Sequence, residues 1–359
     1  MNLDLSETQA LLQETVRGYL EKELPFDRVR ELEREQRWDE VLWKEVCAQG
    51  WISLPIAEAH GGGGGSLVDA GILLEEFARR AALVPILEVV AAGRVLQEHA
   101  GEAGGELLEH LVSGAALVVP ALFESGDANA GPALRVEAGQ LSGEKAFVDY
   151  GQFASQHLVS ALDAEGPALF LVEQGASVAC EPLRSIGRTP LCRAHYSGAP
   201  ARRVAGPEAV AELLRIGRAL VCVQCVGSMQ QALDMTVAYA KVREQFGKPI
   251  GSFQAVRHHC ANMAMRLASA RLLAYEALSA LDAGRASDEQ VAVAKASASR
   301  AAPEVTLLAH QIHGGNGMIE ENDLYFFTLR AKEHSLAWGS AEECLALVAR
   351  SVATPTEWL

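Results

Sequence analysis

The string Arg243-Glu-Gln-Phe-Gly-Lys-Pro-Ile-Gly-Ser-Phe-Gln254 gathers a guanidinium fork, the amides of Gln245 and Gln254 and the aromatic face of Phe246 within twelve residues. Such a set suits a pyrophosphate held by paired N–H donors and a flat heterocycle laid on a ring. A second string, Gln311-Ile-His-Gly-Gly-Asn-Gly317, places Gly314 and Gly315 where missing side chains let backbone approach phosphate or sugar oxygens. Each has a plainer alternative: Arg243 as a solvated helix-end cation, the glycines as a helix C-cap. Arg218 lies in an apolar run; it either supports a buried site or pairs with an acid such as Asp234 or Glu212. Cys222-Val-Gln-Cys225 sits in the same run without a second pair, so buried thiols are expected there and no metal site. The five glycines Gly61 to Gly65 lack the preceding strand and following Lys-Ser/Thr of a P-loop, so a flexible turn is expected.

The elements that must position these residues follow from periodicity. Ser6-Glu-Thr-Gln9 is a capping-box pattern leading into Leu11, Leu12, Val16 and Tyr19 at helical spacing, and Pro25 follows the run. Trp38, Val41, Leu42 and Val46 repeat the helical spacing, as do Leu67 to Phe77. From about Ala116 to Val204 the texture becomes short β-like segments (Leu117 to Phe123, Ala133 to Glu137, Lys145 to Val148, His157 to Ala161, Ala168 to Val172), which predicts a small antiparallel sheet domain. Pro207 to Val242 reads as a helix apolar on nearly every face, expected to be buried on all sides and to demand partners. Further helices are expected over Phe253 to Ala283, from Ser287-Asp-Glu-Gln290 to Gly314, and from Ser340-Ala-Glu-Glu343 onward. The organisation is therefore a helical domain over 1–115, a β domain over 116–205 and a helical domain over 206–359.

The 359 residues are 49% hydrophobic and carry 31 basic against 46 acidic side chains, a net charge of −15. That composition buries a core, and its field repels nucleic acid and anionic membrane. The start lacks the positive and apolar regions of a secretory signal, and the longest apolar stretch, Leu111 to Phe123, is too short to span a bilayer. With seven scattered cysteines, a cytoplasmic protein without membrane insertion is expected.

The strings at Arg243 and Gln311 closely resemble signatures of the acyl-CoA dehydrogenase family. So does the N-terminal block Gly50-Trp51, Pro55-Ile56, Gly61 to Gly65 and Leu74-Glu75-Glu76-Phe77. The resemblance covers essentially the whole chain. It implies a mainly α fold with a β domain: an N-terminal helical domain, a central β-barrel-like domain and a C-terminal four-helix bundle. It also implies FAD, an acyl-CoA substrate, electron-transfer flavoprotein as acceptor, and assembly as a dimer or dimer of dimers. In the family the adenosine end of FAD reaches a neighbouring subunit; the residues facing it map to Arg243, Gln245, Phe246, Gln254, Gln311 and Gly315. Ser340 stands where a threonine near the cofactor is usual, and Arg218 matches an arginine that supports the active site, hence a substrate role.

The flavin-facing half departs from the family. Its T-E-P-x-x-G-S-D loop corresponds to Phe123-Glu-Ser-Gly-Asp-Ala-Asn-Ala130, which keeps only Glu124, and its W/F-I-T/S segment to Phe147-Val-Asp149, where an ionised acid accepts but cannot donate. The base is absent too: Trp338 precedes Gly339-Ser340 where most members have glutamate, and Gly217 precedes Arg218 where a minority do. Glu342 and Glu343 lie one helical turn away, about 5 Å. The resemblance is therefore to the active-site-deficient subunit of the α2β2 members of steroid side-chain breakdown. The alternatives are a self-sufficient homotetramer using another base, such as Asp149 or Glu124, and a flavin-free scaffold or CoA-ligand-binding protein.

Overall fold

The computed structural model describes residues 5–35 and 37–353. Helix α1 (Glu7–Glu23) begins at a closed capping box, the Ser6 hydroxyl accepting from the Gln9 amide while the Gln9 side chain accepts from the Ser6 N–H. After α2 (Phe26–Glu35), α3 (Glu40–Ala48) starts at Asp39, whose carboxylate accepts from Leu42 N. The first helical stretch continues with α4 (Leu67–Arg79), α5 (Ile86–His99) and α6 (Gly105–Val112). The glycine run before α4 is a packed turn and not the flexible one expected. Gly63, Gly64 and Gly65 donate their N–H groups to Ser53, Ile56 and Leu54, and a Cβ on Gly62 would lie 2.2 Å from the Ile56 carbonyl oxygen. Only glycine allows two backbones that close.

Eight strands follow: β1 (Val118–Ala121), β2 (Val136–Glu137), β3 (Gln140–Asp149), β4 (Gln156–Asp163), β5 (Gly166–Glu173), β6 (Val178–Leu183), β7 (Leu191–Pro200) and β8 (Arg202–Ala205). They form two four-stranded sheets, ordered β1-β4-β5-β8 and β2-β3-β7-β6. The expectation of a purely antiparallel sheet is corrected at one ladder: β1 runs parallel to β4, with Val118 opposite Gln156. The long crossover through β2 and β3 makes that direction possible. In the first sheet 157–161 and 168–172 are continuously buried, the signature of strands covered on both faces. In the second, β7 alternates: Cys192, Ala194 and Tyr196 are buried while their neighbours are partly exposed.

The C-terminal half holds α7 (Pro207–Val242), the hairpin β9 (Glu244–Gln245) and β10 (Lys248–Pro249), then α8 (Gln254–Asp282), α9 (Asp288–His313), α10 (Leu324–Leu336) and α11 (Ala341–Ala353). Helix α10 is additional to the helices foreseen from sequence. The Ser287 hydroxyl caps α9 by accepting from Gln290 N. Residues 218–229 of α7 are buried apart from Gln224 within this single chain, so α7 does not by itself demand partners as expected. Cys222 and Cys225 are free and buried.

Packing divides the chain into two compact units. One comprises Leu32–Ala70 and Leu83–Gly217 and contains both sheets. The other comprises the residues up to Glu31, Gly71–Ala82 and those from Arg218 onward. Among the described residues no helix is long and apolar enough to cross a membrane, and no His, Cys, Asp or Glu cluster could hold a metal ion.

Candidate functional site

In the unit holding α8 to α11, the Arg243 string forms a projecting hairpin. The Arg243 N–H donates to Tyr239 O at 2.8 Å, the Arg243 carbonyl accepts from Ile250 N at 2.8 Å, and residues 243–248 are all exposed. The two-residue loop is Phe246-Gly247, with φ of 55° and 77°. Both angles are left-handed, as a type I′ turn requires, and a bulky residue pays strain there. Phe246 is nevertheless 92% exposed, its edge meeting the Phe253 ring at 6.0 Å while the Lys248 ammonium lies 4.6 Å from the same ring. Gln254 is exposed at the start of α8.

The Gln311 string is brought to the same neighbourhood by a contact that no local pattern announced. At the ends of α7 and α9, Tyr239 and His313 stack with centroids 4.4 Å apart and planes 10° apart. Gln311, Gly314 and Gly315 are exposed beside it. Gly314 has φ 59° and ψ −140°, a glycine-only conformation, and a Cβ on either Gly314 or Gly315 would meet nothing within 4 Å. His313 is buried with its Nε2 unpartnered, and burial followed by neighbouring His310 lowers its pKa, so the ring is neutral.

The turn after α10 is built in the opposite way. Trp338 has φ 61° yet is only 7% exposed, and Gly339 follows at φ 107°. Arg218, 3% exposed, donates from Nε to the Trp338 carbonyl at 2.9 Å. Neither acid considered for Arg218 pairs with it: Asp234 binds Arg79 and Glu212 binds His99. Lys295, fully buried, donates to the carbonyls of His334 (3.0 Å) and Ser335 (3.2 Å) and to Ser299 Oγ (2.6 Å), satisfying the carbonyls at the end of α10. Ser340 and Glu343 close a reciprocal capping box on α11 at 2.7 and 3.2 Å, which commits the Glu343 carboxylate to a backbone amide. Gly217 is buried in α7 and Glu342 is exposed.

In the unit holding the sheets, the two segments expected to face a flavin are tied together. Ala146 N donates to Phe123 O at 2.8 Å, and a bulge between Lys145 and Val148 puts Phe147 at φ 55° with its ring 59% exposed. Asp149 ends β3 opposite Leu191. Buried Lys145 donates to Glu124 Oε1 at 2.5 Å, Leu122 O at 3.0 Å and Ser160 Oγ at 3.2 Å. Glu124 also accepts from Ala133 N at 3.0 Å and Leu134 N at 3.2 Å. Burial works to raise the Glu124 carboxyl, but the Lys145 ammonium and these amides hold it below its usual value, while burial lowers Lys145. An acid so engaged is a clamp on the loop and poorly suited to take a proton. That loop, with Ser160, Val210 and Leu214, encloses a cavity of about 190 Å³.

A model of the acyl-CoA dehydrogenase N-terminal domain matches residues 6–114, and one of the C-terminal domain matches residues 205–353. The chain belongs to the acyl-CoA dehydrogenase family. It is 31% identical over 345 residues to the acyl-CoA dehydrogenase IpdE2 of Mycolicibacterium smegmatis, covering 95% of this chain and 97% of that protein. Among solved structures it is similar to the ChsE4–ChsE5 complex of Mycobacterium tuberculosis, with a TM-score of 0.93, 29% identity, and coverage of 99% of this chain and 100% of the other. The steroid ACAD Tcur3481–Tcur3483 gives 0.91 at 31% identity over 97% and 98% of the two chains. These likenesses carry the acyl-CoA dehydrogenase fold across the whole chain, the sheets between the two matched domains included.

Proposed function

We propose that this chain is the non-catalytic subunit of an FAD-dependent, steroid side-chain type acyl-CoA dehydrogenase, completing a partner subunit's FAD site in an α2β2 complex. The observation that carries the reading is the turn at Trp338. A buried indole, its carbonyl held by Arg218, stands where most members of the family have the glutamate that removes the α proton, and Gly217 fills the alternative position. The intact half supports the complementary role: Arg243, Gln245, Phe246, Gln254, Gln311 and Gly315 all lie exposed around the Tyr239–His313 stack.

These residues fit the adenosine end of FAD. Arg243 offers its fork to the pyrophosphate, Phe246 an aromatic face to the adenine, and the open space at Gly314 and Gly315 admits phosphate or ribityl oxygens to the backbone. When bound, FAD supplies hydride acceptance from the acyl β carbon. The chain's part is to bind and orient it. Arg218 fixes the Trp338 carbonyl through its Nε, beside the substrate role the resemblance gives it, and Ser340 lends its hydroxyl oxygen to α11. Electron-transfer flavoprotein is the acceptor this reading expects. The resemblance of the heteromeric ChsE4–ChsE5 and Tcur3481–Tcur3483 pairs to this chain supports a second family subunit as partner.

The test is expression of the chain alone and with a candidate partner of the same family, followed by absorbance in the flavin bands. Colour only on co-expression is the expected result. Yellow protein that turns over an acyl-CoA when purified alone replaces the proposal with a self-sufficient homotetramer, and no flavin under either condition replaces it with a scaffold.

A further inference from the structure

Strand β6 is an edge of its sheet, and its register with β7 sets Cys180 opposite Ala194 and Pro182 opposite Cys192. Residues opposite one another share a face, so both thiols leave the same face one diagonal step apart. Gln174 Nε2 approaches Cys180 Sγ to 3.9 Å, and the ring nitrogens of His157 meet the Tyr196 hydroxyl at 2.8 Å and the Gly151 carbonyl at 2.9 Å. Cys192 is buried against Gly151, where a Cβ would lie 2.6 Å from its sulfur, while Cys180 is partly exposed.

We propose that Cys180 and Cys192 are a reversible dithiol–disulfide site, with Cys180 the attacking thiol and Cys192 the resolving one. The two sulfurs are unequal in the way such a site requires. Cys180 is partly exposed and Cys192 buried; the neighbouring Cys192 outweighs burial and, with His157 and Gln174, holds Cys180 below the usual thiol range, while Cys180 and burial push Cys192 up. With glutathione disulfide as oxidant, the Cys180 thiolate attacks one of its sulfurs, forming a mixed disulfide and releasing one glutathione thiolate. Cys192, giving up its proton, then attacks the Cys180 sulfur and releases the second. The dithiol loses two electrons, the oxidant is reduced to two glutathione molecules, and the two thiol protons end on them.

A diagonal cross-strand pair lies just beyond the Cα separation that a disulfide usually spans, so closure must draw β6 inward. As an edge strand it breaks no ladder on its outer side in doing so. A bond closed against that resistance is readily reduced again. Cys222, Cys225 and Cys344 differ, because burial raises all three thiols and keeps them protonated.

The test equilibrates the reduced, folded chain with glutathione disulfide near neutral pH, denatures it in N-ethylmaleimide and maps tryptic peptides; Arg184 and Arg188 separate the two cysteines. Alkylated thiols are expected to fall from seven to five, with the Cys180 and Cys192 peptides joined and reduced glutathione reversing the change. Cys192→Ala should stop at a stable glutathione adduct on Cys180, and Cys180→Ala should leave Cys192 unmodified. Seven alkylated thiols, or a glutathione adduct on Cys180 of the unmutated chain with no link to Cys192, overturns the proposal. The map of the unmutated chain decides alone if a variant fails to fold.

Discussion

Phe246 and Trp338 are aromatic residues in the same left-handed backbone conformation, at φ 55° and 61°, one 92% exposed and the other 7%. Each conformation costs on the order of 1–3 kcal/mol and persists only where something else over-determines it. At Trp338 the compensation is internal: indole burial, the Arg218 hydrogen bond, the Lys295 cap on α10 and the Ser340–Glu343 box all converge on one turn. At Phe246 little among the described residues compensates, since the ring is 92% exposed and meets Phe253 edge-on. A strained residue held from within completes a structure; one left outside, on a hairpin beside Arg243, suits an interface. Under the proposed function, the contrast would explain how one chain can lack a catalytic turn and keep a cofactor-facing hairpin.

The largest effect expected on this comparison is catalytic. A positioned base contributes ~10²–10⁴ in rate, so the chain alone, supplied with FAD, should show negligible acyl-CoA dehydrogenation. Trp338→Glu should not restore it, because Glu124 stays clamped by Lys145 and Asp149 still ends the strand that the proposed function sets at the flavin. Turnover above background in a dye-reduction assay of that variant would show that the closed turn was the sole defect. Next comes stability: Trp338→Asn relieves the left-handed strain but forfeits a buried indole, a loss of about 3–5 kcal/mol when large aromatics are truncated. The melting temperature of the isolated chain should fall by several degrees.

How much of this was legible in the sequence depended on range. The capping boxes at Ser6 and Ser340, the cap at Ser287 and the apolar α7 were readable because each is written in neighbouring residues. The hairpin and glycine strings were readable as motifs, but not the Tyr239–His313 stack that joins them across the fold. Lys145 and Lys295 look like surface cations in sequence; their burial appears only once Glu124, and the carbonyls of His334 and Ser335, are seen to receive them. Helix α10 escaped notice because Phe326, Phe327, Arg330 and Ser335 are all buried, which blurs any apolar stripe. Strands β6 and β7 were missed because exposed Glu181 and partly exposed Arg193 and His195 interleave with their inner residues.

A smaller effect belongs to Arg243. In the assembled complex Arg243→Ala should weaken FAD retention by roughly 1.5–3 kcal/mol for each charge-assisted bond lost, and Lys at the same place should rescue only part of it, as a point charge in place of a fork. Flavin fluorescence on dilution measures the loss. Unchanged affinity in the variant complex would remove the hairpin from the cofactor site and, with it, half of the comparison.

The smallest effect is the sharpest, because its sign differs between two states of the same variant. Phe246→Asn places an αL-tolerant residue before Gly247, the preferred type I′ pair, and should stabilise the isolated chain by about 1 kcal/mol. Little is lost in exchange, since the ring is almost wholly exposed. In the complex the same change removes the aromatic face offered to the adenine, so flavin retention should drop while the free chain's melting temperature rises by a degree or two. Trp338→Asn, made at the same backbone conformation, should move melting temperature the other way. If Phe246→Asn instead destabilised the isolated chain, the ring would be packing within its own subunit, and the argument that its strain is compensated only by another chain would fail.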